Sequence, residues 1–229
     1  PPGIENLVWV EIPSPMLSAA LGRSVVHRAG VALPPAYFDP GADRRFWPVI
    51  YVIPGFGGDH RAATRYAAML RDPSMRSYLP QAVWVVLDPN DRLGHHGFAD
   101  GDNFGPRGTA LVEEFIPWLE KRFRLVPDSK GRFVTGHSSG GWSSLWLQLQ
   151  HPEVFGGCFS SAPDPVDFSA FGTVDLGADA TCPYGTSIDH KRNVFHCPLT
   201  DTTDEREFLP WAVKAATFIG NLLTNGEDD

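Results

Sequence analysis

The stretch Arg132-Phe133-Val134-Thr135-Gly136-His137-Ser138-Ser139-Gly140-Gly141-Trp142 decides the fold. Residues 132–135 read as a short strand, and Gly136-His137-Ser138-Ser139-Gly140 matches G-x-S-x-G. Trp142, Leu145, Trp146 and Leu149 then recur at helical spacing. A strand, a sharp turn and a helix in that order put a serine at the apex of the turn. The small flanking residues let the backbone pass close to its neighbours. The turn lifts the hydroxyl clear of the strand, and the positive end of the next helix faces any negative charge that develops there.

Upstream, residues 48–53 form a continuous apolar run rich in β-branched side chains, the pattern of a strand buried on both faces. It ends in Pro54-Gly55-Phe56-Gly57-Gly58, a loop that neither helix nor strand tolerates. Ala63, Tyr66, Ala67 and Leu70 follow with the spacing of an amphipathic helix. The unit repeats. Residues 82–87 read as a second buried strand ending in Asp88-Pro89-Asn90, and residues 91–108 as a long polar, Gly-rich loop. Leu111, Phe115, Leu119 and Phe123 mark a helix with Glu113 and Glu114 near its positive end. Residues 7–12 and 24–33 form an early meander, and residues 154–161 another strand. Past Ala162 the pattern weakens, with one more strand at 193–199 and a last helix marked by Phe208, Ala212, Ala215 and Ile219. Alternating strands and helices predict an α/β fold, a mostly parallel central sheet with helices on both faces, in a single domain over 1–229.

Composition narrows the function classes. The chain has 229 residues, of which 42% are hydrophobic and 20% charged, ordinary values for a globular domain able to bury a core. Gly 23 and Pro 21 indicate many tight connections rather than a helical bundle. The net charge of −8, without a dense Lys/Arg run, argues against a nucleic-acid partner or an anionic-membrane patch. No apolar stretch is long enough to span a bilayer. Neither GxxxxGK[ST] nor GxGxxG occurs, so the Gly55–Gly58 loop does not read as a phosphate cradle. Cys158, Cys182 and Cys197 show no CxxC spacing. The chain begins Pro1-Pro2-Gly3, which reads as a processed or trimmed form; secreted, periplasmic and cytoplasmic locations all stay open, as does the oligomeric state.

The sequence resembles the putative-esterase family of α/β-hydrolases, which includes esterase-D-like, feruloyl and enterochelin esterases and the mycolyltransferases. The resemblance lies in residues 31–37, 48–58, 108–114 and 133–141, with 151–156 and 160–164 fitting as well, and covers about residues 5–176. Residues 177–229 form a C-terminal part without a match, and the fold reads as C-terminally shortened. The resemblance implies a serine hydrolase acting on small-molecule or polymeric carboxylic esters, with no metal or organic cofactor. One oxyanion N–H then comes from Ser139, the residue after the nucleophile Ser138, and the other from Phe56, in the loop after an upstream strand.

A serine nucleophile needs a His base, and the His needs a carboxylate. In this fold the chain order is Ser, acid, His. After Ser138 stand His151, His190 and His196. His151, in a His-Pro-Glu turn at a helix end, reads as structural. His190 lies in a polar loop beside Asp189, and His196 inside the candidate strand 193–199. Asp164 follows the strand after the nucleophile helix, an acid position that some relatives use. Asp201 looks like the acid loop before a helix, but no His follows 196. Two arrangements stay open: the base is lost with a shortened C-terminus, or Asp164 or Asp189 pairs with His190 or His196.

His95 and His96 with Asp100 and Asp102 suggest a metal only weakly, because the spacing fits neither HExxH nor an EF-hand. We expect this loop to border the substrate cleft, with Gly57, His95, Phe98 and Phe104 as wall residues and a lean toward apolar or aromatic acyl groups. His137 is expected to be buried and hydrogen-bonded, and Trp142 to belong to the core. The leading expectation is a serine carboxylic-ester hydrolase working through an acyl-enzyme on Ser138. The alternatives are a non-catalytic or truncated protein of the same fold, and an acyltransferase using the same serine.

Overall fold

A computed structural model describes residues 5–75, 78–92 and 94–166. Strand β1 (Leu7–Pro13) leads into helix α1 (Pro15–Leu21), and β2 (Val26–Ala32) returns antiparallel to β1. Strand β3 (Val49–Ile53) is followed by α2 (Ala63–Arg71), and β4 (Val83–Leu87) lies parallel to β3. Two short ladders come next: β5 (Asn90–Asp91) with β6 (Gly94–His95), and β7 (Asp100–Gly101) with β8 (Gly105–Pro106). Helix α3 (Arg107–Ala110) passes through a π-helical stretch (Leu111–Phe115) into α4 (Ile116–Arg122). Strand β9 (Arg132–His137), helix α5 (Ser139–Gln150) and strand β10 (Gly157–Ser161) complete the described chain.

The main sheet has six strands in the order β1-β2-β4-β3-β9-β10. Strand β3 is central, hydrogen-bonded in parallel to both β4 and β9, and each of its five residues is buried. That explains the unbroken apolar run. Val49, Tyr51 and Ile53 pack with Leu111, Phe115, Leu119 and Leu147 on one face. Ile50 and Val52 pack with Ala63, Ala67 and Leu70 of α2 on the other. Each such buried aliphatic side chain contributes about 1.5–3 kcal/mol. The expected α/β architecture, with a mostly parallel sheet and helices on both faces, is the one observed.

Three local differences stand out, and the first two have local causes. Helix α1 carries no long periodic pattern, yet Ser14 accepts a hydrogen bond from Leu17 N–H and Pro15 opens the helix, an N-terminal signature legible in Ser14-Pro15. The helix expected from Leu111 onward begins earlier, at Arg107, and widens into π geometry just before Pro117. Proline has no N–H to close an α-type bond to Glu113, which favours the wider turn. The segment expected as a plain loop contains the two short ladders. The strand 193–199 and the helix near 208–219 lie outside the described residues.

Helix α5 can pack against the end of β3 only without a side chain at Gly140. A Cβ there would lie 2.0 Å from the Ile53 carbonyl oxygen. Gly140→Ala is therefore expected to lower stability by more than about 2 kcal/mol, read as a shift of the urea unfolding midpoint. An unchanged midpoint would show that this contact is not tight.

Candidate active site

Ser138 sits between the last residue of β9 and the first of α5 with φ 58° and ψ −126°. A non-glycine residue in this region costs about 1–3 kcal/mol and persists only where its surroundings hold it. Here they do. Ser138 N–H donates to the Ser161 carbonyl at the end of β10 (3.0 Å), and the Ser138 carbonyl accepts from Trp142 N–H (2.9 Å). A Cβ on Gly136 would lie 2.1 Å from the Gly140 carbonyl oxygen, so strand and helix backbones cross in direct contact around the serine. This is the strand–turn–helix read from the G-x-S-x-G stretch.

The loop after β3 lies alongside. A Cβ on Gly55 would lie 3.5 Å from Ser138 Cβ. Gly58 N–H donates to the Gly55 carbonyl (2.9 Å), and Gly57, exposed, has φ 78°, as the third residue of a type II turn requires. In a trans peptide, N–H and C=O point in opposite directions. Drawing the Gly55 carbonyl into the turn therefore turns the Phe56 N–H outward. Ser139 begins α5, where the first backbone N–H groups have no partner within the helix.

Asp164 adjoins the serines. Its Oδ1 accepts from Ser138 Oγ at 3.3 Å and its Oδ2 from Ser139 Oγ at 2.5 Å. The first bond is long for an O–H donor and the second is short and strong. Among the described residues the Ser138 hydroxyl bonds to this carboxylate and to no imidazole. His190, His196, Asp189 and Asp201 lie outside the described residues. His151 caps the C-terminus of α5.

The expected cleft walls need correction. His95, Phe98 and Phe104 are 1%, 4% and 1% exposed, so their side chains pack inside the fold instead of forming an exposed wall. The 91–108 segment folds back on itself, and its rings fill its own interior: His96 meets Phe98 edge-to-face at 4.6 Å, and Phe98 joins the main core. His137 is exposed rather than buried. It shares a face of β9 with the exposed Phe133, and its Nδ1 lies 3.2 Å from Ser161 Oγ. Trp142 is buried as expected and stacks on Trp146.

His95 and His96 diverge, with ring centroids 6.5 Å apart, and each takes a backbone N–H on its Nδ1, from Gly97 and Phe98 respectively. Asp100 binds Gly108 N–H, Thr109 N–H and the Thr109 hydroxyl. Among the described residues no group of three or more His, Cys, Asp or Glu is placed to hold a metal ion. Sequence reasoning missed two polar links beside the site, His60 to Asp88 (Nδ1 to Oδ2, 3.0 Å) and Asn90 to Gly58 (Nδ2 to O, 2.7 Å). The Asp88-Pro89-Asn90 strand end was the available signal.

A fold of this type, with a serine on a strained elbow beside a glycine turn, defines an α/β-hydrolase. Residues 18–205 match the family model "Putative esterase", and the chain belongs to that family. It is 28% identical over 134 residues to an esterase of Mycobacterium tuberculosis, covering 58% of this chain and 27% of that protein. It is 25% identical over 146 residues to the uncharacterized protein YbbA of Bacillus subtilis, covering 57% of this chain and 56% of that one. The chain thus matches about half the length of one curated relative and about a quarter of the other. Among solved structures it is similar to a ferulic acid esterase, with TM-score 0.58, 16% identity, and coverage of 82% of this chain and 75% of that one. It is also similar to an S-formylglutathione hydrolase from Agrobacterium tumefaciens, with TM-score 0.53, 19% identity, and coverage of 71% and 60%. At these identities the structures establish the shared fold. No helix among the described residues is long and apolar enough to cross a membrane.

Burial holds His27, His95 and His96 below the ordinary histidine value of 6.5, in each case chiefly because a charged imidazole would lose its water. Protons therefore bind the unfolded chain first. Stability is at its full value above the unfolded pKa of 6.5 and is lost as pH falls below it toward the lowered folded values. The urea midpoint is expected to drop between about pH 7.5 and about pH 5.5. A flat profile across that window would contradict neutral burial of these rings.

Proposed function

We propose that this protein is a serine carboxylic-ester hydrolase that works through an acyl-enzyme on Ser138. The observation that carries the reading is Ser138 at φ 58° on the β9–α5 turn, with the Gly55 turn packed against it. Ser138 Oγ attacks the ester carbonyl as its proton passes to a base. The tetrahedral oxyanion is held by the N–H groups of Phe56 and Ser139, and the alcohol leaves. Water then attacks the acyl-enzyme and releases the acid.

A carboxylate is too weak a base to ionise a serine hydroxyl, so the Asp164 contact does not replace an imidazole. Asp164 fits an orienting role, and His190 or His196 would supply the base. Phe56 and Gly57 would then border the acyl group, which keeps the lean toward apolar or aromatic acids. The solved structures named above include a ferulic acid esterase and an S-formylglutathione hydrolase. Esters of small carboxylic acids are therefore the first substrates to try.

One observation favours a second reading, a non-catalytic protein of the same fold: among the described residues, the Ser138 hydroxyl bonds to the Asp164 carboxylate and to no imidazole. A fluorophosphonate probe separates the two. The native chain is expected to be labelled and to show burst kinetics on p-nitrophenyl esters. Ser138→Ala should lose labelling and at least about 10⁴-fold in kcat. Full turnover by Ser138→Ala would sink the mechanism, and a folded native chain that resists labelling would favour the second reading. Product analysis with an added alcohol distinguishes hydrolysis from acyl transfer, which would use the same serine.

A further inference from the structure

Two polar side chains grip the turn of residues 55–58 at its two ends, and both come from the hairpin formed by β5 and β6. His95 Nε2 lies 3.0 Å from the Pro54 carbonyl oxygen, just before the turn. Asn90 Nδ2 lies 2.7 Å from the Gly58 carbonyl oxygen, at the turn's last residue. Asn90 and His95 are directly paired across the hairpin. The spacing of the two grips is therefore set by one cross-strand pair.

The chemistry of each grip is determined by its partners. A carbonyl can only accept, so His95 Nε2 carries a proton. Gly97 N–H donates to His95 Nδ1 (3.1 Å), so Nδ1 carries none. The neutral Nε2–H tautomer alone satisfies both bonds, and burial keeps the ring in that form. Asn90 has two acceptors around its nitrogen, Gly58 O and Asp88 Oδ1 (3.1 Å), so its amide presents NH₂ to the turn. Asp88 in turn accepts from Asn90 N–H (3.2 Å) and pairs with His60. The hairpin is anchored at Asp91 by Arg23 (2.6 Å) and by the buried Arg107.

We infer that His95 and Asn90 are positioning residues for the oxyanion loop: the β5–β6 hairpin clamps residues 54–58 and so holds the Phe56 N–H at a fixed angle to Ser138. The catalytic half of this inference rests on the serine-hydrolase reading; the clamp itself does not. Fixing the Pro54 carbonyl orients the peptide plane that enters the turn, and fixing Gly58 O orients the one that leaves it. The Gly58-to-Gly55 bond then has little room to open. An oxyanion donor works only if it is already aimed before charge develops, so loosening the clamp should slow the chemical step and leave ester binding nearly intact.

Asn90→Ala is the primary test, because Asn90 is exposed and its loss leaves no cavity. His95→Leu removes the other grip, and His95→Gln restores a donor for Pro54 O. Hydrogen exchange of the 55–58 amides, followed by mass spectrometry, is expected to speed up about tenfold in Asn90→Ala and His95→Leu. On p-nitrophenyl acetate, kcat should fall about ten- to a hundredfold with KM changed less than about twofold. His95→Gln should recover most of both losses. Unchanged exchange at 55–58 in Asn90→Ala would overturn the clamp, and faster exchange with unchanged kcat would overturn its catalytic purpose. If Ser138→Ala turns over the ester as fast as the native chain, the serine reading falls while the exchange comparison still decides the clamp.

Discussion

The site depends on the contact between the backbone of Gly140 and the carbonyl of Ile53. Strands β3 and β9 are adjacent and parallel, with Ile53 opposite Gly136, so both chains leave the sheet at the same edge and the same level. The chain leaving β3 makes the glycine turn. The chain leaving β9 makes the elbow and enters α5. A side chain at Gly136 or Gly140 would collide with backbone and push these two exits apart. The glycines of the G-x-S-x-G stretch are thus explained by proximity: they let a helix begin where two strands end.

That geometry costs free energy, and the surrounding hydrogen bonds offset the cost. Ser138 adopts a conformation that an isolated chain would avoid, and the carbonyl of Ser161 and the first turn of α5 hold it there. The exits are also crowded with backbone carbonyls that need donors. Neutral buried imidazole and the carboxamide of Asn90 supply two of them, on Pro54 and Gly58. A charged group in the place of His95 would lose its hydration, a loss that outweighs the pull of the Pro54 carbonyl and of Asp164 and Asp88. Neutrality, more than basicity, makes this histidine useful where it stands.

The strands that the sequence marks as continuous apolar runs, 48–53 and 82–87, are buried on both faces as that pattern demands. The elbow was legible because its signals are local: a strand, small residues at fixed offsets and a helical stripe within one short stretch. The region 91–108 was not legible in the same way. Its ladders are two residues long, too short for any period to show, and its aromatic rings fold inward. His95 drew attention as a cleft wall, but its two ring nitrogens are committed to Pro54 and Gly97. His137 shows the opposite error: adjacency to Ser138 suggested burial, while the alternation of side chains along β9 turns it outward.

By itself the sequence determined which residues could form the sheet, where the serine elbow must fall and which glycines it requires. These follow from side-chain volume, periodicity and local backbone sterics. Tertiary structure alone decided that Asp164 touches Ser138, that His95 bonds to Pro54 and that Asn90 faces His95 across a hairpin. The sequence offered Asp164 as a candidate acid, but no local pattern pairs any of these residues with its partner. Their meeting is set by strand order and register, and by the need of buried polar groups to find partners.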